Sequence, residues 1–202
     1  MYVSAQRMSR AESQARTRER LLSSGRAVFA KRGFHAATIE EISERAGFSR
    51  GAFYANFSGK SDLFLAILEA DQEREFARLG GEIETLPDGE VLDRLYGWFS
   101  DVLVSGPLQR GIAEFAVQSG RADRSRLARY MRATRQVTAE LIDRYCERHQ
   151  ITLSVPNDTF AAIVIATISG FASQLRIDPH AVAPETIGLA LTTLWAGLVE
   201  TT

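Results

Sequence analysis

Apolar residues recur along most of this chain at intervals of three and four, the period of a helix with one buried face. Hardly any stretch alternates apolar and polar residues as a strand would. Leu21, Leu22, Val28 and Phe29 predict a helix over 16–32, with Gly33 as its stop. A short helix is predicted over 39–46, with Ile39, Ile42 and Ala46 inward, and another over 50–57. Longer ones follow over 60–79, 90–104, 107–119, 125–149, 158–176 and 185–200. Gly80-Gly81 and Pro87-Asp88-Gly89 punctuate the series, and Pro107 and Pro184 fit first helical turns. The pattern predicts an all-α chain of about nine helices.

Composition narrows the class. With 45% hydrophobic and 24% charged residues the chain is an ordinary folded protein. A single cysteine, Cys146, excludes an intramolecular disulfide and any multi-cysteine metal site. Residues 1–20 lack the apolar core of an export signal. The stretch 159–175 is uncharged but carries Thr167, Ser169, Ser173 and Gln174, short of the roughly 18–20 strongly apolar residues of a membrane span. It reads as a buried helix, and the expectation is a cytoplasmic protein without a membrane partner. Charge is unevenly divided. Residues 1–60 hold 11 Lys and Arg against 5 Asp and Glu, a balance of +6, whereas the remaining 13 against 20 leave −7. A basic first part facing a polyanion and a solvated arginine-rich tail both fit that asymmetry.

The informative stretch is 38–60. Thr38 followed by Glu41 makes a capping box, so a helix begins after Thr38. Gly47 sits where that helix must end, because glycine takes the left-handed conformation without steric cost. A second helix starts three residues later, and Phe48, Phe53 and Phe57 can wedge it against the first. Two short helices joined by so tight a turn make a helix-turn-helix, whose second helix enters the DNA major groove. Arg50 suits a bidentate contact with guanine, and Gly51 and Ala52 are small enough for close approach. Tyr54 lies off the Phe53–Phe57 face and can give its hydroxyl to a phosphate, and Lys60 adds charge. Thr38, Ser49 and Asn56 complete the candidate DNA-binding set. Upstream, Arg7, Arg10, Arg16 and Arg18 either follow a minor groove or form a disordered tail.

At these residues the chain resembles the TetR family of bacterial regulators. The family has a Thr-capped helix ending in Ala-Gly-hydrophobic-Ser. Its recognition helix has the form Gly-small-aromatic-Tyr-x-x-Phe, followed by a Lys and a Leu. Here those positions are Ala46-Gly47-Phe48-Ser49, Gly51-Ala52-Phe53-Tyr54-Ala55-Asn56-Phe57, Lys60 and Leu63, with Ala27-Val28-Phe29 and Gly33-Phe34 matching upstream. Asn56 stands where His or Tyr is commoner, and Ala52 replaces a frequent Thr. The resemblance covers residues 16–65. It implies a flexible basic tail (1–14), a DNA-binding domain (15–61) and a helical ligand-binding and dimerisation domain (62–202). It further implies a homodimer on a palindromic operator of double-stranded DNA, released by a small-molecule inducer. Residues 160–168 and 187–199 are apolar all round, which independently suits a subunit interface. Trp98, Phe99, Phe115, Tyr130 and Met131 are candidate walls of the inducer cavity, although the same residue types serve equally as core.

Catalysis finds no support. Ser58-Gly59-Lys60-Ser61 imitates the end of a P-loop, but the first glycine that motif needs would fall at Tyr54 and no strand precedes it. His35, His149 and His180 are scattered without metal-ligand spacing, so no metal or cofactor is expected. A helical protein-interaction module without DNA function is the remaining alternative.

Overall fold

A reciprocal cap starts the first helix. In the computed structural model, which describes residues 9–87, 90, 94–95, 97–98, 106 and 108–200, Ser9 Oγ accepts the N–H of Glu12 at 3.2 Å. Glu12 returns a carboxylate oxygen to the N–H of Ser9 at 2.7 Å. Helix α1 therefore runs Arg10–Ala36, and Arg10, expected in a tail that ends at 14, is helical. The Ser-x-x-Glu signature was present in the sequence and outweighs the polar composition that suggested a tail. Gly33 breaks the helical path with φ 77° and ψ 179°, and Phe34 to Ala36 follow as one more turn.

Seven further helices occur among the described residues: α2 (Ile39–Ala46), α3 (Arg50–Tyr54), α4 (Lys60–Thr85), α5 (Gln109–Gln118), α6 (Arg121–His149), α7 (Asn157–Ile177) and α8 (Pro184–Leu198). The helix expected over 90–104 lies mostly outside the described residues; 90, 94–95 and 97–98 are helical. The chain is all-α, with a single isolated bridge, Leu153 to Val199, among the described residues. That bridge shortens the last helix relative to its expected end at 200. Ser154 N–H reaches the Leu198 carbonyl at 2.8 Å and Glu200 N–H reaches that of Thr152 at 2.9 Å, so residues 199–200 run extended.

Two units emerge. The first comprises the described residues up to Ala70 together with Arg110–Arg124; the second comprises those of 71–109 together with Ser125 onward. In the first, α1 packs against α4 at Gly25, where an added Cβ would lie 2.8 Å from Leu63 Cδ2. Phe29, Phe34, Phe64 and Phe115 form one aromatic cluster, with centroids 4.9 Å apart for Phe29–Phe64 and for Phe34–Phe115. Helix α5, read from the sequence as part of the C-terminal domain, thus joins this core, and Gly111 lets its backbone come up against the Phe64 ring.

The second unit is built around Leu79, Trp98, Leu141, Ile142, Phe160, Val164, Ile168 and Leu191. Helix α4 runs through Gly80-Gly81 instead of stopping near 79. Phe76 and Ile83 pack against this core on either side of the glycines, and Arg78 ties Glu75 (2.7 Å) to Glu82 (2.9 Å) along the exposed face. Burial outweighs the helical cost of about 1 kcal/mol per glycine. At 21 residues α7 is long and apolar enough to cross a membrane by length and composition only, a property that the core helix of a soluble protein shares. One face of it, Phe160, Ala161, Val164, Ile168 and Ala172, is buried in the core.

Candidate nucleic-acid interface

Local bonds fix the geometry from Thr38 to Phe57. Thr38 Oγ1 accepts the Glu41 N–H at 3.1 Å. Glu41 does not close the box as expected: its carboxylate pairs with Arg32 at 3.3 Å, where a full charge is a stronger partner than one amide. Gly47 adopts φ 74°, ψ 33°, its N–H bonded to the Glu44 carbonyl and that of Phe48 to the Ser43 carbonyl, both at 2.9 Å. This is a Schellman closure, and it reverses the chain within three residues. Ser49 then caps α3, its Oγ accepting the Ala52 N–H at 3.3 Å.

The two faces of α3 divide sharply. Phe53 is fully buried and Phe57 nearly so, whereas Arg50 and Gly51 are exposed and Tyr54 is 49% exposed. A Cβ on Gly51 would meet nothing closer than Ser49 Oγ at 3.6 Å, so the fold itself does not require glycine there. Thr38 and Ser49 use their oxygens as cap acceptors and keep their hydroxyl hydrogens as donors. Arg50 reaches across to Glu40 at 2.8 Å and lies 6.0 Å from the Tyr54 ring. The Tyr54 side chain first and Glu40 second push the Arg50 pKa further up, so the guanidinium stays charged. Both partners of the Glu40 pair are half exposed, which makes it weak and readily exchanged for another anion.

Two arginines of α1 hold this motif: Arg18, read from the sequence as a minor-groove or tail residue, and Arg20, which the sequence did not single out. Arg18 donates to the Asn56 carbonyl at 3.0 Å and stacks 4.3 Å over Phe57, beyond the C-terminal end of α3. Arg20 lies 4.9 Å over Phe48 in the turn. Asn56 returns its side-chain amide to the Ala52 carbonyl at 2.8 Å, leaving one amide hydrogen for an outside acceptor.

Lys60 departs from its expected role as a phosphate contact. Its Nζ donates to the carbonyls of His35 (3.1 Å) and Ala37 (2.9 Å) and sits 4.7 Å over the Phe34 ring, closing the end of α1. Partial burial pushes its pKa down, against the pull of Glu114. Lys60→Met is therefore expected to cost about 1–2 kcal/mol of stability, read as a lower thermal midpoint, with little change in the salt slope of DNA binding. A flattened slope at unchanged midpoint would return Lys60 to the phosphates.

Glu114 on α5 is the counterpart of this closure. It accepts the His35 N–H at 2.8 Å and pairs with Arg110 at 2.7 Å, while Gln118 contacts His35 Nδ1. The backbone N–H of His35 is the largest influence holding the Glu114 carboxyl below its usual range. A depressed folded pKa gives stability that is present above about pH 4.3 and is lost as pH falls through the folded value. The difference in thermal midpoint between the protein and Glu114→Gln should be constant near neutrality and shrink below about pH 4.3; a gap that widens on acidification would contradict this.

The residues proposed for an inducer are divided between the two units. Phe115 belongs to the aromatic core of the first unit. Trp98 is buried in the second, its Nε1–H donating to Glu75 at 3.3 Å. Tyr130, its pKa pushed up to about 12 by burial and then by Asp71, carries a backbone carbonyl that accepts from Gln72. Met131 is 56% exposed, and Phe99 lies outside the described residues. A cavity of about 200 Å³ is found elsewhere in the second unit, lined by Gly80, Ile83, Leu141, Arg144, Tyr145, Arg148 and His149.

Comparison with known proteins agrees with this geometry. Residues 21–67 match the family model of bacterial regulatory proteins of the tetR family. The HTH-type transcriptional repressor AcnR of Corynebacterium diphtheriae is 27% identical over 160 residues, 78% of this chain and 80% of that protein. The HTH-type transcriptional regulator UidR of Escherichia coli is 40% identical over 68 residues, 34% of this chain and 35% of that one. Among solved structures, SmeT in complex with triclosan superposes with a TM-score of 0.67 at 23% identity, covering 91% of this chain and 92% of that one. SmeT is the repressor of a Stenotrophomonas maltophilia multidrug efflux pump.

Proposed function

Because this chain belongs to the TetR family of bacterial regulators, which bind DNA, we propose that it represses transcription as a homodimer on a palindromic operator. A small molecule binding in its second unit would release it. The observation that carries the reading is the split face of α3: Phe53 and Phe57 are spent on the core, while Arg50, Gly51 and Tyr54 face solvent on a rigid, doubly capped turn. The repressor name of its relative AcnR and the triclosan bound to SmeT support repression and ligand control. Such a regulator works in the cytoplasm and carries out no catalysis.

The second unit supports the homodimer. Opposite its buried stripe, α7 exposes Ala166, Gly170, Ser173 and Ile177, and α8 exposes Leu189 and Ala196. A face of small and apolar residues suits a second copy, and a twofold pair places two α3 helices for two half-sites. Repression and release are then two conformers of that pair. The inducer favours the one whose spacing does not fit the operator, and by linkage DNA weakens inducer binding by the same factor.

The test is binding to the intergenic DNA beside the regulator's own gene, against a scrambled fragment, at two salt concentrations. Selective binding that weakens with salt is expected, and equal weak binding to both fragments argues for the non-DNA module. Gly51 gives a sharper check. Gly51→Leu should keep or slightly raise the thermal midpoint, since leucine favours a helix over glycine by up to about 1 kcal/mol. It should nevertheless weaken operator binding severalfold, because the added side chain stands between α3 and the groove. Unchanged operator affinity would mean that α3 does not approach DNA at Gly51.

A further inference from the structure

The cavity near the C-terminal ends of α4 and α6 is formed by an absence that the backbone does not require. Gly80 sits in the interior of α4 without a positive φ, and a Cβ there would meet nothing within 4 Å. Glycine costs helix stability at such a position, and neither local conformation nor close packing accounts for it. What it leaves is open space, roofed on the other side by α6, where Leu141, Arg144, Tyr145, Arg148 and His149 lie on one face.

The lining has a definite chemistry. Ile83 and Leu141 are aliphatic, and Tyr145 and His149 present rings tilted 41° to each other with centroids 4.4 Å apart. Arg144 and Arg148 are one helical turn apart at the edge, both exposed enough to reach an incoming group. Two guanidiniums on one face suit a planar oxyanion, which they bind through paired N–H donors. At about 200 Å³ the space falls below the roughly 300–1,000 Å³ of drug-sized pockets, so the body of the ligand is about one ring in size.

We propose that this cavity binds a small organic carboxylate, its flat apolar body between Gly80, Ile83, Leu141 and the Tyr145–His149 rings and its carboxylate on Arg144 and Arg148. The assignment rests on the reading of the protein as a ligand-controlled repressor, and it names the ligand's chemical class and its place.

Benzoate, phenylacetate and octanoate serve as probes against the full-length protein by calorimetric titration, with benzamide as the uncharged counterpart of benzoate. Trp195, whose ring lies 5.6 Å from Tyr145, gives a second readout by fluorescence. Saturable binding of at least one carboxylate is expected, with benzamide at least tenfold weaker than benzoate if benzoate binds. Gly80→Leu, which fills the space with a good helix former, should abolish binding while the thermal midpoint holds or rises. The double variant Arg144→Gln, Arg148→Gln should weaken carboxylate binding at least tenfold and leave octanol unaffected.

Absence of saturable binding by all three acids overturns the proposal, as does binding that Gly80→Leu leaves intact. Operator binding on the same preparation separates the two readings. Selective DNA binding without carboxylate binding sinks the cavity assignment alone. Carboxylate binding without DNA binding keeps the cavity and removes the repressor.

Discussion

Replacing Arg50 and Tyr54 together by alanine is expected to leave a folded protein that no longer distinguishes its operator from scrambled DNA. Both side chains are exposed on α3, and neither contributes to the buried set of the first unit. A bidentate arginine–guanine contact is worth about 1–3 kcal/mol of discrimination, roughly tenfold to more than a hundredfold in relative affinity. On the proposed reading Tyr54 would add a phosphate contact that fixes register. In the free protein Arg50 is held by Glu40 at 2.8 Å, an exposed pair that a competing anion or base would displace at little cost. Titrating the operator and the scrambled fragment at fixed salt gives the selectivity ratio, and the thermal midpoint monitors the fold. A preserved ratio with both side chains removed would place base reading elsewhere in the chain.

Gly33→Val should be the most destabilising single change in the first unit. Gly33 holds φ 77° with ψ 179°, a combination essentially confined to glycine and costing other residues about 1–3 kcal/mol. Space is short as well: an added Cβ would lie 2.7 Å from both carboxylate oxygens of Glu114, whose side chain would have to swing away. Relieving that contact means giving up the bond from His35 N–H to Glu114 at 2.8 Å and disturbing the Phe34–Phe115 packing next to it. A loss of about 3–5 kcal/mol, enough to unfold a marginal domain, follows from the sum. Chemical denaturation followed by circular dichroism checks it. A change under about 1 kcal/mol would mean that the kink at Gly33 relaxes freely.

Neither outcome hangs on the same kind of information. The helix-turn-helix was legible in the sequence because every device that shapes it is local. Thr38 and Ser49 cap through amides three residues on, and Gly47 closes α2 with bonds spanning three and five residues. Phe53 marks the buried face of α3, and Phe57, three residues past its end, is buried with it. The Ser9–Glu12 box was equally local and equally written in the chain; overlooking it moved the start of α1 by six residues. Helix content followed from period alone, and Gly80-Gly81 misled only because a local cost was set against packing that lies far off in sequence.

What only the tertiary structure decided are the partners of long side chains. Lys60 can serve a phosphate or a carbonyl equally well, and the choice fell to the end of α1, 23 and 25 residues away. Arg18 found the Asn56 carbonyl 38 residues on, and Glu114 found the His35 amide across 79. Phe115 shows the same for apolar groups: its type fits a ligand wall or a core, and only the approach of α5 at Gly111 placed it among Phe34 and Phe64. The sequence by itself therefore determined the all-helical architecture and the DNA-reading motif, since caps, turns and period act within a few residues. The fold decided which charges face outward to a ligand and which close the protein's own helix ends, because burial and partner distance exist only once distant segments meet.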